Sequence, residues 1–216
     1  MKKLALFGLF LASVTITSAS NAVNNFYVKV DGGISIPTTK IGNNNLPLLP
    51  NSNFDKNGVY GLGVGYRFND YVRTDINAQY REFNYKSTNS TDSVTNKTRN
   101  ATAFLNFYLD GKNPTIFTPY LTGGIGYSRF DGGDATDVFT SGSSIFPGKS
   151  VNHVAWNFGA GSKIQITGNI DFDLTYRYVA LGKIGFSNAG QPNPATAGQS
   201  VTLRNHEVTL GIAYNF

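Results

Sequence analysis

His153 and His206, with nearby serines and acids, are the residues in this chain whose types could run hydrolytic chemistry. Such chemistry needs a nucleophilic serine, a histidine within hydrogen-bond reach and an acid that orients the ring. His153 falls on the polar parity of a strand-like segment near a long connector, and His206 adjoins Glu207 near another. Adjacent strand residues point to opposite faces, so His206 and Glu207 are not expected to meet as a dyad. No catalytic residue is assigned, and the chain reads as non-enzymatic. With no Cys and one Met, it offers neither a disulfide nor a thiolate metal site, and little basis for soft-metal or haem chemistry. No metal and no cofactor is expected.

The larger polar constellation is charged: Lys29, Asp31, Arg67, Arg73, Asp75, Arg81, Lys163, Asp171, Asp173, Arg177 and Glu207. Charges in a narrow, low-dielectric interior are costly unless paired. They are therefore expected to pair as a plug that fills a small barrel. An ion-selective pathway is the alternative for the same residues.

What must position these charges is a set of strands. Val72, Thr74, Ile76, Ala78 and Tyr80 alternate with Arg73, Asp75, Asn77, Gln79 and Arg81, and Ile170, Phe172, Leu174, Tyr176 and Tyr178 alternate with Asp171, Asp173, Thr175 and Arg177. That two-residue period is a strand's. Alternation alone leaves open which face meets lipid and which is enclosed. Phe26 to Ser35, Val59 to Phe68, Arg99 to Leu109, Pro119 to Phe130, Val151 to Ile166 and Val201 to Phe216 complete a set of eight. Each is long enough for a tilted membrane-spanning strand of roughly 9–11 residues, and an even number suits closure. Asn69-Asp70, Asp110 to Thr115 and Thr167 to Asn169 are compact turns; Ile36 to Asn57, Lys86 to Thr98, Asp131 to Ser150 and Gly182 to Ser200 are long polar connectors. The expected fold is all-β: an eight-stranded antiparallel transmembrane β-barrel with short periplasmic turns and long extracellular loops.

Smaller signals agree. Gly61, Gly63, Gly65, Gly124, Gly126, Gly159 and Gly161 share the polar parity, where a narrow interior needs small residues beside large ones. Pro119 would open its strand, where the missing donor is tolerable. Phe68, Tyr71, Phe117, Phe172, Tyr214 and Phe216 gather at one end, and Tyr80, Tyr127 and Trp156 nearer the other, as interfacial girdles. Residues 1–22, with Lys2 and Lys3 before the apolar run Leu4 to Ile16, read as a cleaved export signal, leaving 23–216 as the barrel. Without that segment 16 basic residues face 13 acidic ones. This balance is too weak to suggest nucleic acid as a partner. Phe139, Ile145, Phe146 and Phe186 are the apolar candidates for loop contacts.

Pro119-Tyr120-Leu121-Thr122-Gly123-Gly124-Ile125-Gly126-Tyr127, Asp173 to Tyr178 and the closing Leu210 to Phe216 resemble small outer-membrane barrels of the opacity-protein and OmpA-like type. The resemblance runs through the strands, not the loops. It implies location in the bacterial outer membrane, contact with outer-membrane lipid, and recognition of Ile212, Tyr214 and Phe216 by the outer-membrane assembly machinery. It further implies an adhesin or surface-interaction role toward a host-cell or serum protein. A narrow pore and a lipid-modifying enzyme are the alternatives from other classes.

Overall fold

The computed structural model describes residues 25–38, 56–88, 93–132, 135–139, 142–146, 150–185 and 200–216. Its strands, among these residues, are β1 Phe26–Pro37, β2 Asn57–Arg67, β3 Val72–Thr88, β4 Ser93–Asp110, β5 Phe117–Gly132, β6 Ala135–Phe139, β7 Gly142–Phe146, β8 Ser150–Gln165, β9 Ile170–Gly185 and β10 Ser200–Asn215. Apart from the β6–β7 hairpin, the eight other strands pair antiparallel in one ring, each with a neighbour on either side, and the β3–β4 ladder closes it. The result is an eight-stranded barrel. Closure gives the backbone donors and acceptors of the wall their ladder partners, which a wall in hydrocarbon requires.

The parity question resolves inside out relative to a soluble sheet. Arg73, Asp75, Asn77, Gln79 and Arg81 of β3 are buried, whereas Ile76 and Tyr80 are exposed. The same holds around the ring, with Val154 of β8 76% and Ile125 of β5 66% exposed. An apolar outer wall of this extent is unstable against water and stable against lipid chains.

The turn end is tight. Phe68 N donates to Val72 O at 2.9 Å, Gly111 N to Pro119 O at 2.7 Å and Ile166 N to Ile170 O at 2.9 Å. Asn69 Oδ1 accepts from the amides of both Tyr71 and Val72 at 2.8 Å, an Asx turn that fixes the β2–β3 connection. Both barrel termini meet here, with Phe216 N donating to Phe26 O at 3.1 Å.

The loop end departs from the sequence expectation in two places. Lys86 to Thr98 is not one long connector: β3 runs to Thr88, β4 starts at Ser93, and the two stay in register through Thr88↔Ser93. Asp131 to Ser150 is not wholly loop either, since β6 and β7 form a hairpin whose Thr136–Val138 edge pairs with Thr95–Ser93 of β4. Beyond the apolar band both faces of a strand can be polar, so alternation fades while pairing continues. Pro119 lies inside β5, not at its start, because the strand opens at Phe117; the ladder to β4 begins only at Tyr120, so the missing N–H interrupts nothing there. The β9–β10 register slips at Leu203/Arg204. Opposite that slip Gly182 holds φ 103° with His153 against it, where a Cβ would stand 2.4 Å from the His153 Cβ. A side chain there meets both a strained backbone and an occupied space.

Candidate functional site

The inward parity builds a lumen in layers, starting at the turn end. Arg67, Asp70, Lys112, Lys163, Asp171 and Asn215 are among the residues lining a polar vestibule of about 280 Å³. Arg67 donates to Asn215 Oδ1 at 2.9 Å and stands 3.8 Å from Asp171, while Lys163 reaches Asp110 at 2.7 Å. At the rim Lys112 bonds Asp70 across two turns and holds that carboxyl below its ordinary value of 3.8.

Above the vestibule lies a collar. The Arg73 guanidinium sits 3.8 Å from the Tyr108 ring centroid, 4.8 Å from Tyr120 and 5.6 Å from Tyr27. Its Nε donates to both oxygens of Asp110 at 3.1 Å. The Tyr27 hydroxyl oxygen accepts from Arg73 Nη1 at 3.2 Å, whereas Tyr108 donates to Asp75 at 2.8 Å and Tyr120 to Asp173 at 2.8 Å. Lys29 completes the layer on Asp173 at 3.1 Å. A delocalised cation among aromatic faces, with Nε on a carboxylate and Nη1 on a phenol oxygen, is a dry, rigid arrangement.

The next layer joins Asp31, Arg177, Glu207 and Arg81. Arg81 grips Glu207 with Nε at 2.6 Å and a second nitrogen at 3.0 Å, and Ser35 donates to the same carboxylate at 3.0 Å. Arg177 lies 3.7 Å from Glu207 and 3.9 Å from Asp31. Small residues make these reaches feasible: a Cβ on Gly61 would come within 2.4 Å of Asp31, and one on Gly124 within 2.2 Å of Asn106. The lumen closes toward the loops with Phe83, Phe104, Phe130, Ala155, Val179, Leu181 and Leu203, an apolar cluster with Val151 packed on it.

Of the eleven charges expected to share an interior, nine are buried and Arg67 and Lys163 are partly exposed at the turn end, and one further residue joins the set. Asp110, assigned to a turn from sequence, is the last residue of β4 and holds both Arg73 and Lys163. It shares the parity of Asn106 and Tyr108, which was the available signal. With it, Lys29, Arg67, Arg73, Arg81, Lys163 and Arg177 equal Asp31, Asp75, Asp110, Asp171, Asp173 and Glu207 in number, with Asp75 held by Tyr27, Tyr108 and Asn106 and not by a cation. The tyrosine collar and the phenylalanine cluster were missed because aromatic residues on a polar parity read as exceptions, not as layers.

The histidines stand apart. Glu207 is fully buried, while His206 faces outward and shares a 2.7 Å hydrogen bond with the Tyr176 hydroxyl. His153 is inward at the loop end. Phe139 lies in β6, Ile145 and Phe146 lie in β7, and Phe186 is outside the described residues. Ile212 and Tyr214 are exposed on the outer wall of β10, with the Tyr214 and Phe216 rings 5.2 Å apart edge to face.

A closed antiparallel ring with a greasy exterior and a charge-balanced interior defines a small outer-membrane β-barrel. The chain belongs to the outer membrane protein beta-barrel domain family, whose model matches residues 7–216. It is 32% identical over 177 residues, 74% of each chain, to outer membrane protein PagN of Salmonella typhimurium. It is 23% identical, end to end, to a putative adhesin of Rickettsia bellii. The fold is that of Neisserial surface protein A, with a TM-score of 0.57 and 19% identity over 88% of this chain and 97% of the other.

Proposed function

We propose that this outer-membrane barrel is a non-enzymatic surface adhesin that meets its partner, a host-cell or serum protein, through its loop end. The observation that carries this reading is the filled lumen. A paired polar stack under an apolar cap leaves little for the interior to transport, so the loop-end segments are the part free to engage a partner. The resemblance to a protein described as a putative adhesin supports the same role. The outward His206 and inward Glu207 support a non-enzymatic reading, since the pair cannot share a substrate.

Within this proposal residues 1–22 act as the cleaved export signal, and Ile212, Tyr214 and Phe216 as the assembly signal read by the outer-membrane assembly machinery. Phe139, Ile145, Phe146 and Phe186 are the candidate contact anchors. The test is to replace residues 133–149 and 186–199 with short turns. Heat-modifiable gel migration reports folding, and capture of labelled host cells or serum protein reports binding. A folded barrel that no longer binds is the expected result; binding equal to the intact protein would remove the mechanism.

A further inference from the structure

The outer wall carries charge at the loop end of the apolar band, and its two sides treat that charge differently. Toward β3–β5, Arg99 stands 3.7 Å from Glu82, and Arg129 stands 3.0 Å from Asp131. Each arginine there has its own carboxylate. Toward β9, β10 and β1, Arg204 is exposed, and the outward positions of these strands hold no acid among the described residues. Two residues below Arg204 on the same face lies His206, whose ring stacks on Tyr176 at 6.0 Å and meets Tyr178 edge-on at 5.3 Å. Trp156 follows, 5.6 Å from Tyr178.

This row sits at a definite depth. His206 is about ten residues from the Tyr214–Phe216 girdle, roughly the 9–11 residues that take a tilted strand across the hydrocarbon. Arg204 and His206 are thus at the headgroup level of the outer leaflet. There a guanidinium with no carboxylate beside it among the described residues is stable only if it finds water or an anion, and a phosphate offers charge together with a matching fork of acceptors. Amphipathic rings at the same level give a flat surface for a ring-bearing headgroup.

We propose that this β8–β10 wall binds a phosphate-bearing glycolipid of the outer leaflet, with Arg204 on the phosphate and the Tyr176, His206, Tyr178 and Trp156 rings against the sugar. The site rests on the barrel's place in the outer membrane and not on the adhesin reading. Trp156 is the chain's single tryptophan and so reports on its own site. The refolded full barrel in neutral detergent is titrated with bisphosphorylated lipid A, with the dephosphorylated lipid, and with inorganic phosphate. The expected result is a saturable emission change with bisphosphorylated lipid A, at least about tenfold weaker with the stripped lipid, and absent with phosphate alone. Arg204→Gln should weaken the response about tenfold, while Arg129→Gln leaves it unchanged. Native mass spectrometry counts retained lipid A independently and should follow the same order. Equal affinity for the stripped lipid, equal binding by Arg204→Gln, or neither an emission change nor retained lipid would overturn the proposal.

Discussion

Glu207 faces two guanidiniums in the lumen, so its removal is costly in a way that its own hydrogen bonds do not express. Glu207→Leu leaves Arg81 without its carboxylate and Arg177 with only Asp31 at 3.9 Å, and a broken buried pair costs roughly 3–5 kcal/mol. The expected result is a large drop in the urea midpoint of lipid refolding, partly recovered when Arg81→Leu is added, since the double variant removes the cation that lost its carboxylate. Loss in the double variant equal to the sum of both singles would mean that the pair is not coupled. Asp70 marks the opposite limit, an exposed carboxylate held chiefly by Lys112, with Arg67 adding a smaller attraction. Its pKa is lowered in the folded state, so the contact is fully present above the ordinary value of 3.8 and is lost as pH falls through the lower folded value. Carboxyl NMR titration should give a midpoint below 3.8 that returns to it in Lys112→Gln; an unchanged midpoint would show that the lysine is not the cause.

Along a strand, the lipid-facing row carries the stability that a soluble protein would draw from its core. Ile76→Arg and Leu174→Arg put a charge on exposed positions of the apolar wall, and the expected loss near mid-membrane is roughly 2–4 kcal/mol. Thr175→Ser, beside Leu174 but turned inward, should cost far less by the same refolding assay; equal losses on both parities would contradict the assignment of faces. This periodicity is why the wall was legible in the sequence: from Val72 to Arg81 of β3 and from Ile170 to Tyr178 of β9, alternating polarity tracks the alternating faces. The same logic explains what was not legible. Ser93 to Thr98 of β4 is polar on both parities apart from Val94, so its sequence carries no period, and the pairing with β3 and β6 makes it a strand. The charges in the lumen were readable because each shares its strand's polar parity. Their partnerships were not, because Arg81 and Glu207, or Lys29 and Asp173, are brought together by the closure of the ring and not by any spacing along the chain.

At the scale of the whole barrel, the lumen has two seals in series, and that arrangement governs what can pass. The vestibule lies at the turn end, and beyond it stands the collar, where Arg73 is held among Tyr27, Tyr108 and Tyr120. Past the collar the path meets the phenylalanine cluster, with the Phe83 and Phe130 rings 6.4 Å apart. An ion crossing the first seal must displace a paired cation, and crossing the second it must shed its water against apolar rings; both steps are unfavourable. The intact protein is therefore expected to be silent in planar bilayers. Phe83→Ala with Phe130→Ala should also be silent, because the collar remains, and so should Tyr108→Ala with Tyr120→Ala, because the cap remains. Only the fourfold variant should show steady conductance. Each large-to-small change in a packed interior costs about 3–5 kcal/mol at most sites of this kind, so heat-modifiable migration must first establish that each variant is folded. Conductance in the intact barrel, or in a folded variant with one seal left, would show that the stacked charges form a pathway and not a plug.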